Sequence, residues 1–162
     1  MTIKVGDKIP DATFRVVTAE GLQPRTTAEI FKGKKVVLVG MPGAFTPTCH
    51  RNHLPGFVEK AGEFHNKGID TIAVTTTNDH FVMSAWSKAT GADGKLEFLA
   101  DGNGEFAKAI GLSYDGTERG MGDVRSRRYS MLVDDGIVKV LNIEEKAGKA
   151  EITGADNLMK VL

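Results

Sequence analysis

The chain has 162 residues, 41% hydrophobic and 26% charged, which describes one globular domain over residues 1–162 and excludes a disordered or fibrous protein. Lys plus Arg number 21 and Asp plus Glu 21, so the formal charge is zero and gives no basic footprint for nucleic acid or an anionic membrane. The longest strongly apolar run, Val36 to Met41, is far short of a bilayer span, and Met1 to Lys8 lacks the apolar core of a signal peptide; a cytoplasmic protein is expected, with no nucleic-acid or membrane partner.

In chain order, Thr13 to Val17 reads as a strand that ends in the turn-like Ala19-Glu20-Gly21. Thr26-Thr27-Ala28-Glu29 has the pattern of a capping box and opens a short helix toward Phe31, stopped by Gly33. Lys35 to Val39 is an apolar, β-branched run of strand length and predicts a buried central strand. Leu54, Phe57, Val58, Ala61 and Phe64 fall on one helical face, with Gly68 as the stop and Pro55 as a kink or the start of a second segment. Ile69 to Thr76 is the next strand. Asn78 is expected to cap a helix that carries Phe81, Val82, Ala85, Trp86 and Ala89 and ends at Gly91. Leu96 to Ala100 reads as a strand, and Asp101 precedes a short helix over Glu105 to Ile110. Arg128 to Val133 and Ile137 to Leu141 flank Asp134-Asp135-Gly136, a strong hairpin signal, and Thr153 to Leu162 is a closing helix. Strands alternating with helices, then a late hairpin, predict an α/β sandwich whose mixed sheet has a parallel centre and an antiparallel edge.

Cys49 is the only cysteine, which excludes an intrachain disulfide, a CxxC redox pair and a four-cysteine zinc site. Without context such a residue is more often inert and buried. Here the segment Gly40-Met41-Pro42-Gly43-Ala44-Phe45-Thr46-Pro47-Thr48-Cys49 joins the buried strand to the long helix, at the carboxyl edge of the sheet where α/β proteins place their sites. Thr46 and Pro47 form an N-cap and N1 pair, which puts Cys49 at the third helical position. Free backbone N–H groups and the helix dipole favour an anion there, and a thiolate so placed is a nucleophile.

Pro42-x-x-x-Thr46-x-x-Cys49 resembles the active-site signature of the peroxiredoxins, and PGAFTPTC followed by His53-Leu54-Pro55-Gly56-Phe57 resembles their type II, peroxiredoxin-five-like group. Lys4 to Pro10, Asn78-Asp79-x-Phe81-Val82, Leu99 to Gly102 and Arg128-Tyr129-Ser130-Met131 resemble family blocks in the same order, so the likeness covers essentially the whole chain. It implies a thioredoxin-like sandwich with helices on both faces of a mixed sheet. It implies a peroxidase without a cofactor, acting on hydrogen peroxide and organic hydroperoxides through a sulfenic acid on Cys49. Thr46 and Arg128 are implied to hold the peroxide and the thiolate, Pro42 to wall the sulfur from water, and a homodimer is the implied assembly. Without the resemblance, Arg128 beside Arg125 and Arg127 would read as part of a solvated edge.

The second cysteine that many type II relatives carry has no counterpart in Ile72 to Thr76 or in Ala150 to Thr153. The resemblance therefore implies a one-cysteine enzyme recycled by an external thiol, with glutathione and glutaredoxin favoured and thioredoxin the other donor. A peroxide-sensing switch or holdase with slow turnover is the alternative use of the same cysteine. His50 and His53 beside Cys49 raise the further readings of a metal site and of a Cys–His hydrolase. The spacing fits no structural zinc pattern, and no third residue is identifiable to orient His53. Gly40-x-x-Gly43 is not a phosphate loop, since no Gly-Lys-Ser/Thr follows.

Overall fold

The structure, a computed structural model, describes all residues from Met1 to Leu162. β1 (Thr13–Thr18) and β2 (Gly21–Thr26) form a hairpin, and Thr26 and Glu29 close the expected capping box at the start of α1 (Thr27–Phe31). β2 was not apparent from sequence: its run Gly-Leu-Gln-Pro-Arg-Thr has no period-2 alternation, and its Pro24 is tolerated because β2 is the edge of the sheet. β3 (Lys35–Gly40) follows, buried on both faces, with Val37 and Val39 in one core and Val36 and Leu38 in the other.

After β3 a loop leads into a helical turn that begins at Pro47 and widens into a π-turn over Cys49–His53, where the Leu54 N–H reaches the Cys49 carbonyl. The wide turn sits directly ahead of Pro55, which has no N–H to give to the preceding turn. The predicted long helix is therefore divided: α2 (Leu54–Glu59) and α3 (Ala61–Asn66) are separated at Lys60. β4 (Thr71–Thr76), α4 (His80–Ala89), β5 (Glu97–Ala100) and α5 (Glu105–Ala109) come next. The cap of α4 is Asp79, whose carboxylate accepts from the Val82 N–H, and not Asn78. Asn78 instead accepts from the Ala44 N–H at 2.8 Å and fixes the loop after β3. A small ribbon of β6 (Ser113–Tyr114) and β7 (Arg125–Ser126), too short to leave a sequence pattern, precedes β8 (Tyr129–Asp134), β9 (Ile137–Ile143) and α6 (Ala155–Met159).

The main sheet has the order β2-β1-β5-β4-β3-β8-β9. β3, β4 and β5 are parallel, while β8 and the β8–β9 hairpin run antiparallel, and the hairpin turns through Asp135 and Gly136 at φ 48° and 79°. One core lies between the sheet and α2, α3, α4 and α6, the other between the sheet and α1 and α5. This is the mixed sheet with helices on both faces that the sequence predicts. No helix is long and apolar enough to cross a membrane.

The topology also explains why two distant residues meet. β8 is antiparallel to β3, so its first residue, Tyr129, pairs with Gly40, the last residue of β3. Arg128, one residue earlier, thus stands beside the loop that carries Pro42 to Cys49. The Tyr129 ring lies over Gly40, where any Cβ would overlap it, so glycine is required at the strand end.

Candidate active site

Cys49 lies at the third position of the helical turn, as its spacing from Thr46 and Pro47 predicts, and it is fully buried. Arg128, only 2% exposed, donates from Nη2 to the Cys49 Sγ at 3.1 Å. The same guanidinium gives Nη2 and Nε to the Ala147 carbonyl at 2.7 and 3.0 Å, and Nη1 to His53 Nδ1 at 3.0 Å. Every arm of the fork is thus occupied. Arg128 enters no ion pair with any carboxylate. The structure therefore brings Cys49 and Arg128 into contact although 79 residues separate them.

Thr46 stands at the head of the turn, and its carbonyl accepts from the His50 N–H at 2.9 Å. Its hydroxyl makes no cap bond to the helix, contrary to its reading as a side-chain cap; it donates to the Gly43 carbonyl at 2.6 Å. With its proton committed there, the Thr46 oxygen keeps its lone pairs for another donor. Pro42 is buried in the loop wall, and its carbonyl accepts from Arg125 Nη1 at 3.3 Å. Gly43 lets this side of the loop close, since a Cβ there would sit 3.1 Å from both Arg125 Nη1 and Thr46 Cγ2.

The two neighbouring histidines face other partners. His50 Nδ1 accepts from the Trp86 indole at 2.9 Å, and its ring stacks on Phe45, with centroids 5.6 Å apart. Phe45 is held at φ 62°, an uncommon conformation for a non-glycine residue, and is half exposed. His53 is buried, its Nδ1 turned to Arg128 and its Nε2 to the Thr153 carbonyl at 2.8 Å. An arginine only donates and a carbonyl only accepts, so the imidazole is neutral with its proton on Nε2. Burial, its largest influence, pushes His53 down to about 4; the Arg128 charge adds to this and the Thr153 bond opposes it. Neither histidine hydrogen-bonds the Cys49 sulfur, whose side-chain partner is Arg128.

Sequence reasoning did not reach the Arg128–His53–Thr153 series or the Ala147 carbonyl. His53 stands out in the sequence only by its nearness to Cys49, and a backbone carbonyl leaves no sequence signal. Tyr114, half-buried on β6, also lies in this field: burial raises its phenol most, the Cys49 sulfur raises it further, and Arg125, Arg119 and Arg128 oppose.

Residues 4–159 match the Redoxin family. The chain is 51% identical to the chloroplastic peroxiredoxin-2E-2 of Oryza sativa subsp. japonica, covering 99% of this chain and 73% of that one. It is 44% identical to peroxiredoxin-2B of Arabidopsis thaliana, with 99% and 98% of the two chains covered. The crystal structure of reduced Prx3 from Vibrio vulnificus in complex with hydrogen peroxide superposes with a TM-score of 0.93 at 42% identity, over 99% of both chains. With a single buried cysteine held by an arginine at the head of a helix, on this sheet and with these relatives, the chain belongs to the redoxin family as a type II peroxiredoxin, a thiol peroxidase.

Proposed function

We propose that Cys49, Arg128, Thr46 and Pro42 carry out the peroxidase reaction as follows. The observation that supports this reading is the buried guanidinium of Arg128, which has no carboxylate partner and points one arm at the Cys49 sulfur. An unpaired buried cation is costly, and a thiolate supplies the missing countercharge. The thiolate attacks the terminal oxygen of ROOH; the S–O bond forms, the O–O bond breaks, and RO⁻ leaves and takes up a proton as ROH. Arg128 opposes the charge that develops on the departing oxygen, and the lone pairs of Thr46 accept from the peroxide O–H. Pro42, buried and without an N–H, excludes water from the sulfur. Residues of this kind serve a transition state, which favours catalytic turnover over a sensor that reacts once.

The sulfenic acid has no second cysteine to meet. It condenses with an external thiol, releasing water and leaving a mixed disulfide; a second thiol then releases Cys49 and reforms the cycle. We favour glutathione for the first step and glutaredoxin for the second, because a tripeptide thiol reaches a buried sulfur more readily than a folded donor does. The requirement for a thiol donor supports a reducing compartment, and we favour the cytoplasm. Mass spectrometry of protein treated with peroxide and glutathione should show one glutathione on Cys49, removed by glutaredoxin; without glutathione, excess peroxide should give the sulfinic acid. If the adduct never forms and thioredoxin alone sustains full turnover, the glutathione route is wrong.

A homodimer is part of the same proposal. Phe45 and Phe81 are 49% and 73% exposed, and the Ala44–Asn78 hydrogen bond ties together the two segments that carry them. An isologous contact over this patch covers both aromatics beside the active-site loop. Light scattering at micromolar concentration should give twice the chain mass of 17.4 kDa, and Phe81→Asp should lower it. A mass of one chain for the unaltered protein would refute the dimer.

A further inference from the structure

We infer that His53 is a positioning residue: as a neutral acceptor it sets the guanidinium of Arg128 against the Cys49 sulfur. The inference rests on the role proposed for Arg128. Its basis is a continuous series of directed bonds. The buried Glu144 carboxylate accepts from the N–H and the hydroxyl of Thr153, both at 3.1 Å. That fixes the Thr153 carbonyl, which accepts from His53 Nε2 at 2.8 Å. With the proton drawn to Nε2, the Nδ1 lone pair is bound to face Arg128 Nη1 at 3.0 Å, and Nη2 of the same planar fork lies 3.1 Å from the sulfur. A planar guanidinium cannot hold one arm without aiming the others, so the orientation toward Cys49 is set partly from His53.

The π-turn contributes to the alignment. Over Cys49–His53 the backbone runs wider than an α-helix, and it buries both end residues while leaving Arg51 and Asn52 exposed. Cys49 and His53 thereby address the same guanidinium from the same segment. The other neighbour of the His53 ring is the Phe57 ring, edge-on at 5.7 Å, which fills space and offers no competing donor. A carboxylate in place of the imidazole would also accept from Arg128, but it would neutralise the cation and compete with the sulfur for it. A neutral acceptor orients the arginine and leaves its charge for Cys49.

Two substitutions separate this role from simple packing. In His53→Asn, the side-chain oxygen occupies the Nδ1 position and still accepts from Arg128; in His53→Leu, no acceptor remains. Both lose the bond to Thr153, and Leu is the better apolar filler of a buried site. The second-order rate constant for peroxide should stay within about threefold of the unaltered enzyme in His53→Asn and fall at least tenfold in His53→Leu. Equal losses in the two, or a more active Leu variant, would overturn the inference. Arg128→Lys measured alongside distinguishes the failures: if it leaves the rate unchanged, the role of Arg128 itself is wrong; if it slows the enzyme while His53→Leu does not, only the role of His53 is. An independent reading needs no variant. Nitrogen-15 NMR of the histidine rings should show His53 neutral at pH 6 with its proton on Nε2, and a charged ring or a proton on Nδ1 would equally overturn the assignment.

Discussion

Cys49→Ser is expected to abolish peroxide consumption while the fold persists. The side chains are close in volume, and Cys49 is fully buried against the core formed by the sheet, α2, α3, α4 and α6, so the exchange leaves little space to collapse. The electronic change is total. A serine hydroxyl stays protonated where a thiol ionises, so no anion is available to attack the peroxide and no sulfenic acid forms. If Cys49 is the countercharge of Arg128, as proposed, the same exchange removes it, and Arg128 then donates to a neutral hydroxyl. Stability should therefore fall by about 1–3 kcal/mol, the cost of a buried polar group less well paired. Circular dichroism with urea unfolding measures the fold, and peroxide consumption in the presence of thiol donors measures the activity. Turnover above the uncatalysed rate in Cys49→Ser would remove Cys49 from the mechanism, because the chain has no other thiol to take its place.

The parts of the molecule legible in the sequence are those where one local rule decides the outcome. The Lys35 to Val39 run is apolar at every position after the lysine because both faces of β3 are covered. Asp135 and Gly136 can both take positive φ, which fixes the β8–β9 hairpin. Thr46 and Pro47 mark a helix start, and counting from them places Cys49 correctly. What escaped the sequence is decided by tertiary contact or by competition between neighbours. Asn78 and Asp79 are both good caps, and Asp79 takes the helix because Asn78 is drawn to Ala44 and the loop after β3. The π-turn and the division at Lys60 arise where the chain must bury both Cys49 and His53 ahead of Pro55, which periodicity alone does not reveal. At the site, Thr46 and Cys49 share one turn and are visible together. Arg128 joins them only through the antiparallel pairing of β8 with β3, so its selection over Arg125 and Arg127 came from the resemblance of its surroundings to a family block.

The structure gives that selection a physical consequence that can be measured. Arg125 is half-buried and spends its guanidinium on the Met121 and Pro42 carbonyls, and Arg127 gives one arm to the Glu144 carbonyl. Neither donates to sulfur. Arg128 alone does, while also holding His53 and Ala147. Arg128→Lys keeps the charge but replaces a planar, five-donor fork with a single ammonium, which cannot reach the sulfur, the imidazole and the carbonyl in one fixed geometry. A lysine drawn to Ala147 abandons Cys49; one drawn to Cys49 leaves the carbonyl and the imidazole unpaired in a buried site. Either way the stabilisation of the departing oxygen that we propose for Arg128 weakens. The rate of peroxide reduction should fall at least tenfold, about 1.4 kcal/mol of barrier. Arg125→Lys and Arg127→Lys should each cost much less, because a lysine can replace bonds made to backbone carbonyls alone. Stopped-flow measurement of peroxide reduction on the three variants decides the matter: an unchanged rate in Arg128→Lys, with a large loss at Arg125 or Arg127, would move the role to another arginine.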